Sequence, residues 1–208
     1  MENLTIKQYL DTLSSNSPTP GGGNVSALCG SLASALAVMV TNLTIGKKKY
    51  ADVENKIIEL KEKVTPFINK FIELAEKDNQ SFDEVMKAFS LPKETDEQKA
   101  YRSEQIEKAT IKAAEIPFEV IKNANSIIDN FIEISNIGNQ NSLSDIGVGL
   151  LLLKTATQGA YLNVIINISS LKDKEFANKF LNDVDKIYKD TLLKVDNTYN
   201  NIIHKLLN

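Results

Sequence analysis

The chain has 208 residues, 42% hydrophobic and 25% charged, the proportions of a folded globular protein and not of a disordered one. Its 24 basic side chains stand against 27 acidic ones, and a net charge of -3 argues against a general nucleic-acid or membrane-surface binder. A single cysteine, Cys29, excludes an internal disulfide and a cysteine-based metal cluster and is in keeping with a reducing, cytoplasmic setting.

The first residues, MENLTIKQYL, carry an early acid and no apolar h-region, so no signal peptide is expected. Residues 4–13 read as a short amphipathic helix. The break SNSPTPGGGN follows, and a long helix is predicted from about Asn24 to Thr44. In that helix Ala27, Gly30, Ser31, Ser34 and Ala35 fall on more than one face. Small residues let neighbouring backbones approach closely, which places it at the centre of the fold. Its most apolar run, Ala27 to Val40, is 14 residues, too short to span a bilayer. Gly46 is placed as its C-cap, with the lysines of GKKKY at the negative end of the helix dipole.

From Asp52 onward Val53, Ile57, Leu60, Val64, Phe67, Phe71 and Leu74 recur in steps of four and three, the stripe of a helix facing a core. Pro66 inside it predicts a kink. After the loop SLPKET, Thr95 and Gln98 form a capping-box pattern for the next helix. That helix carries Ile106, Ala109, Ala113, Ile116, Val120, Ala124, Ile127, Phe131 and Ile134, and a second internal proline, Pro117. After NIGNQNSLSD, Ser142 or Ser144 is expected to cap a nearly all-apolar helix from Asp145 to about Ile168. The last helix, about Lys174 to Leu207, presents Phe176, Phe180, Ile187, Val195, Ile202 and Leu206. No segment alternates apolar and polar residues as a strand would. The expectation is an all-α, single-domain bundle of long helices spanning residues 1–208, with a central small-residue helix.

The inventory of reactive groups is restrictive. The only histidine, His204, lies in the last turn, which argues against a metal site or a histidine-dependent triad. Cys29 reads as a small core residue. Continuing the third helix's stripe four residues past Leu74 reaches Asp78, a carboxylate where the pattern expects an apolar side chain. An inward carboxylate is costly unless paired or working, and burial raises its pKa into the range useful for proton transfer. The alternative is that the helix breaks near EKDNQSF and Asp78 caps the next turn. Asn163 and Asn167 share a face of an otherwise apolar helix, placed to bind a ligand or to bond each other's helix ends. Asp145 falls in a first helical turn, where the dipole alone favours it. Lys47, Lys49 and Tyr50 of GKKKY would suit an anionic group or a solvated helix end. The glycines 21–23 open no dinucleotide fold, because no strand precedes them and the third fingerprint glycine is absent. They read as a side-chain-free entrance to the central helix, bringing backbone N–H groups near a ligand or forming a tight turn.

The stretch SPTPGGGNVSALCGSLASALAVMVTNLTIGKKKY resembles the signature of the cyclodeaminase/cyclohydrolase family of folate enzymes. The likeness continues through DNQSFDEVMKAFSLPKET, AAEIPFEV, NSLSDIGVGLLLLKTATQGAYLNVIINI and SLKD, in the family's order. It implies an all-helical homodimer that binds a tetrahydrofolate derivative as substrate, with no metal and no permanently bound cofactor, and acts where a one-carbon unit bridges N5 and N10. It also places the family's catalytic aspartate at Asp78, in the segment ending at Phe82. Gly21, Gly22, Gly23, Lys47, Lys49, Tyr50, Asp145 and Asn163 become the expected substrate-binding residues. One departure stands out: Ile165 takes the place of an arginine in the family's LNVRIN.

Overall fold

A computed structural model describes residues 4–208. Among them six helices follow one another: α1 Ile6–Leu13, α2 Gly22–Asn42, α3 Glu54–Phe89, α4 Asp96–Ile137, α5 Leu143–Ser169 and α6 Lys174–Leu207. Short 3-10 turns at Lys48–Val53 and Gln140–Ser142 lead into α3 and α5, and the described residues contain no strand. Capping boxes open α1 (Thr5 with Gln8) and α4 (Thr95 with Gln98), while the Asp173 carboxylate accepts the Phe176 N–H to open α6. α3 and α4 run unbroken through Pro66 and Pro117.

α2 packs against α3 and α5, α4 closes against the same pair, and α6 lies on α4 and α5. With 21 residues, α2 is long and apolar enough to cross a membrane by length and composition, exceeding the 14-residue run judged from sequence. Here it is a core helix on two faces, with Ala27, Ala33, Ala37 and Val40 buried. Its third face stays open at Leu32 and Leu43, so it is less enclosed than a fully central helix.

Three local readings of the sequence are corrected. Gly46 does not cap α2; Leu43 does, and Gly46 sits beyond it in a left-handed turn at φ 76°. The buried Thr44 explains the shift, since its hydroxyl donates to the Val40 carbonyl (2.7 Å) and satisfies a helix-end acceptor. Ser142 occupies the N-cap position of α5 but makes no side-chain cap bond. Asn139 anchors that entrance instead, accepting from the Asn141 N–H and donating to the Leu43 carbonyl. On α6 the buried stripe is Ala177, Val184, Thr191, Val195, Thr198 and Ile202, leaving Phe176 and Leu206 exposed. Two threonines hid this stripe, because their hydroxyls bond to carbonyls one turn back and so can be buried.

The α2–α3 seam repeats every seven residues. Asn24 Nδ2 donates to the Ala75 carbonyl (2.9 Å), and Ser31 Oγ to the Ile68 carbonyl (2.8 Å), so the helices run antiparallel. Immediately before each hydrogen-bonding residue stands a glycine. A Cβ on Gly30 would lie 2.6 Å from the Phe71 ring, and one on Gly23 would lie 2.1 Å from Asp78 Oδ1. Each glycine is thus a hole filled by a side chain of α3. On the other side of α2 a Cβ on Gly159 would meet Ser26 Oγ at 2.2 Å, so α5 approaches as closely.

Gly30→Ala tests the seam. Alanine favours a helix interior by up to about 1 kcal/mol over glycine. Overpacking a rigid core ring costs about 1–3 kcal/mol, and Phe71 is fully buried. Urea denaturation is expected to show a net loss of about 1–2 kcal/mol; a variant at least as stable as the parent would refute the tight seam.

Candidate active site

Asp78 lies in mid-helix. Because α3 continues from Glu54 to Phe89, the alternative of a break and a capping role falls away. Seven residues past Phe71, its side chain occupies the equivalent hole, with its carboxylate against Gly23 in the first turn of α2. α2 has no capping side chain of its own, since Gly21 stands at its N-cap. The Asp78 carboxylate serves instead, accepting the Asn24 main-chain N–H.

Two opposing effects set its proton affinity. Burial raises it, the Asn24 N–H lowers it, and burial wins, so the pKa is pushed up to about 6. A carboxyl group there exchanges protons near neutral pH, the property a general acid or base needs.

The carboxyl group opens onto a cleft of about 330 Å³, the size of a small ligand pocket. Gly21, Gly22 and Gly23 form one side, Asp78, Ser81, Phe82 and Val85 of α3 another, and Asn163, Ile166 and Asn167 of α5 a third. Gly22 faces Asn163, and a Cβ at Gly22 would stand in ordinary van der Waals contact with Asn163 Nδ2 at 3.6 Å. Asn163 Nδ2 donates to the Gly159 carbonyl (2.8 Å) and Asn167 Nδ2 to the Ala113 carbonyl of α4 (3.0 Å). Both amides are thereby oriented, and each retains a carbonyl oxygen able to accept from a ligand N–H. The apolar side chains of Phe82, Val85 and Ile166, with a few oriented polar groups, suit a heterocycle carrying ring N–H groups.

Within one chain, four of the expected binding residues lie elsewhere. Lys47 and Lys49 are exposed beyond the C-terminus of α2, about 30 Å along that helix from the glycines. Tyr50 is engaged there, its hydroxyl accepting the Gln140 N–H (3.0 Å). Asp145 is in the first turn of α5, at the same distant end. Cys29 is partly buried against the core, and burial pushes its thiol pKa up. His204 is exposed in the last turn of α6. Among the described residues no three His, Cys, Asp or Glu side chains converge as metal ligands.

Sequence reasoning missed Asn24, fully buried behind the carboxylate, and Ser81, Val85 and Ile166 in the walls. Asn24 had one legible signal: with Ser31 it forms a seven-residue polar repeat in an apolar helix.

The chain is 39% identical over 183 residues to a methenyltetrahydrofolate cyclohydrolase of Methylorubrum extorquens, covering 88% of each. It is 29% identical over 190 residues to a formimidoyltransferase-cyclodeaminase of Dictyostelium discoideum, spanning 91% of this chain but only 34% of that longer protein. The fold superposes on the crystal structure of a formiminotetrahydrofolate cyclodeaminase from Thermotoga maritima with a TM-score of 0.81 and 29% identity, over 97% of this chain and 98% of that one. The formiminotransferase-cyclodeaminase family profile matches residues 5–186, and the chain belongs to that family.

Proposed function

We propose that this protein is a folate one-carbon enzyme acting at the N5/N10 bridge, a methenyltetrahydrofolate cyclohydrolase with Asp78 as its acid/base. The observation that carries the reading is the carboxyl group of Asp78, seated in the α2–α3 seam and facing the cleft with a pKa near 6. The relative from Methylorubrum extorquens supports the choice of reaction. The folate is substrate; no permanently bound cofactor or metal is part of the proposal, and the setting is the cytoplasm.

The methenyl bridge is an amidinium carbon, cationic and already electrophilic. Water adds to it while the Asp78 carboxylate takes the water's proton. The C–N5 bond then breaks, and N5 receives the proton held by the carboxyl group. The hydroxyl oxygen becomes the formyl carbonyl and gives its proton up to solvent, leaving 10-formyltetrahydrofolate with one proton released overall. Phe82 and Val85 face the ring system, and the Asn163 and Asn167 amide oxygens accept from its N–H groups. Before the proton moves, the carboxylate also offsets the cation's charge.

The Thermotoga maritima neighbour favours a second reading, formiminotetrahydrofolate cyclodeaminase. There N10 attacks the carbon of the protonated formimino group, and Asp78 takes the N10 proton and passes it to the formimino nitrogen, which leaves as ammonia while the methenyl bridge forms. The absorbance of methenyltetrahydrofolate separates the two. It is lost in buffer if the enzyme is a cyclohydrolase, and appears from formiminotetrahydrofolate if it is a cyclodeaminase.

A homodimer belongs to the same proposal. The outer face of the α2–α5 pair exposes Leu32, Leu43, Val148, Leu151 and Leu162, an apolar surface that a twofold partner would cover. An antiparallel pairing of the two α2 helices would set the partner's GKKKY end beside the glycine end, bringing the distant lysines towards the cleft. Light scattering is expected to give twice the chain mass and Leu32→Glu the single-chain mass; a monomeric parent protein would refute it.

Asp78→Asn is expected to lower kcat by about 100-fold or more, the range of a lost acid/base group, with KM within about threefold. In the parent enzyme kcat/KM should rise with pH through about 6 as the carboxylate forms. Near-normal kcat in the variant, or a flat profile, would remove Asp78 from the chemistry.

The same substitution has a stability signature. The folded-state pKa lies above the unfolded value near 4, so burying the ionised form destabilises the fold above about pH 6. Asp78→Asn should therefore gain on the order of 1–2 kcal/mol near neutral pH, discounted for partial solvent access. The gain should shrink below about pH 6 and disappear below about pH 4. Chemical denaturation across that range checks the sign.

A further inference from the structure

We infer that Tyr9 and Asn24, neither of which lines the cleft, are positioning residues that hold Asp78 in its working place from behind. Asn24 is fully buried in the first turn of α2 and grips α3 at two points. Its side-chain Nδ2 donates to the Ala75 carbonyl (2.9 Å), and its main-chain N–H reaches the Asp78 carboxylate one turn later. The orientation of the amide is unambiguous. A carbonyl oxygen only accepts, so the nitrogen must face Ala75 and Oδ1 must face the other way.

In that other direction lies the Tyr9 hydroxyl, which donates to Asn24 Oδ1 at 2.8 Å. Tyr9 is the one buried residue of α1, whose Ile6 and Leu10 are exposed. The phenol is thus both the anchor of this helix and the last link of a buried chain: Tyr9 hydroxyl, Asn24 amide, Ala75 carbonyl, with the Asn24 N–H on Asp78. Such a network is strong when every member is satisfied and loosens as a unit when one is lost. Burial, and then the Cys29 thiol, raise the Tyr9 pKa, so the hydroxyl stays protonated and donating.

Loss of the Tyr9 hydroxyl frees the Asn24 amide and lets the first turn of α2 drift from α3. Asp78 then loses part of the one N–H that favours its ionised form. This inference rests on the acid/base role assigned to Asp78, so its test has an arm independent of substrate. In the full-length protein, carbon NMR of the Asp78 carboxyl, assigned by its absence in Asp78→Asn, gives its titration in the parent, Tyr9→Phe, Asn24→Ala and Ser31→Ala.

Tyr9→Phe is expected to raise the midpoint by about half a pH unit. It should also lower kcat roughly five- to tenfold, the size of one buried hydrogen bond, with KM nearly unchanged. Asn24→Ala should do the same more strongly; if it does not fold, Tyr9→Phe alone decides. Ser31→Ala removes the equivalent bond seven residues away and should lower Tm without moving the Asp78 titration. If Tyr9→Phe leaves that midpoint in place, or Ser31→Ala shifts it equally, the positioning role is overturned. If the midpoints move as expected but neither folate reaction is detected in the parent, the functional reading fails and the positioning stands.

Discussion

The close approach of α2 to α3 is the constraint on which the molecule depends. Two glycines a heptad apart bring the backbones together, and two side chains of α3 fill the holes they leave. In one repeat the filler is Phe71, and in the next it is Asp78. Geometry treats the two positions alike; chemistry does not. A ring in such a hole adds dispersion and loses no hydration, whereas a carboxylate gives up much of its hydration. The protein has placed an ionisable group in a slot shaped for core packing, and the chemistry of the site follows from that mismatch.

What keeps the mismatch tolerable is the end of α2. A helix that begins on glycine leaves its first N–H groups without a local acceptor. The carboxylate arrives from another helix as the missing cap, so two local deficiencies offset each other: an uncapped dipole and a poorly hydrated anion. The balance is incomplete, since burial still outweighs the hydrogen bond. A fully compensated aspartate would be a permanent anion and a poor proton donor. The partial compensation leaves a group that can be found in either state and can change state during a reaction.

Much of this was legible in the sequence, for physical reasons that can be named. Helical stripes follow from the period of the helix, and Asp78 stood out because it broke one. The capping box of Thr95 and Gln98 was readable because it is a local contact. The meaning of glycines 21–23 was not. None has a positive φ, so conformational freedom does not explain them. Gly23 is required by a side chain 55 positions later in the chain, and no local pattern encodes that contact. Within one chain the lysines of GKKKY stand apart from the glycines, and the reason is similar. Adjacency in a motif suggested adjacency in a site, but a helix of 21 residues separates its two ends. Tyr9 was overlooked because a tyrosine on a short amphipathic helix has no distinguishing pattern until Asn24 is seen beneath it.

The seven-residue seam also bears on how such a protein changes over generations. Selection for folding alone acts against Asp78, because an uncharged filler suits its hole better. With the proposed acid/base role, selection for turnover acts against that replacement. The glycine opposite is under neither pressure to change once it is there, since any larger residue would have to displace whatever fills the hole. A descendant released from the reaction would accordingly exchange its aspartate early and its glycine late. A family member with glycine at position 23 and an apolar residue at position 78 would then be a scaffold that has outlived its chemistry, recognisable from two positions.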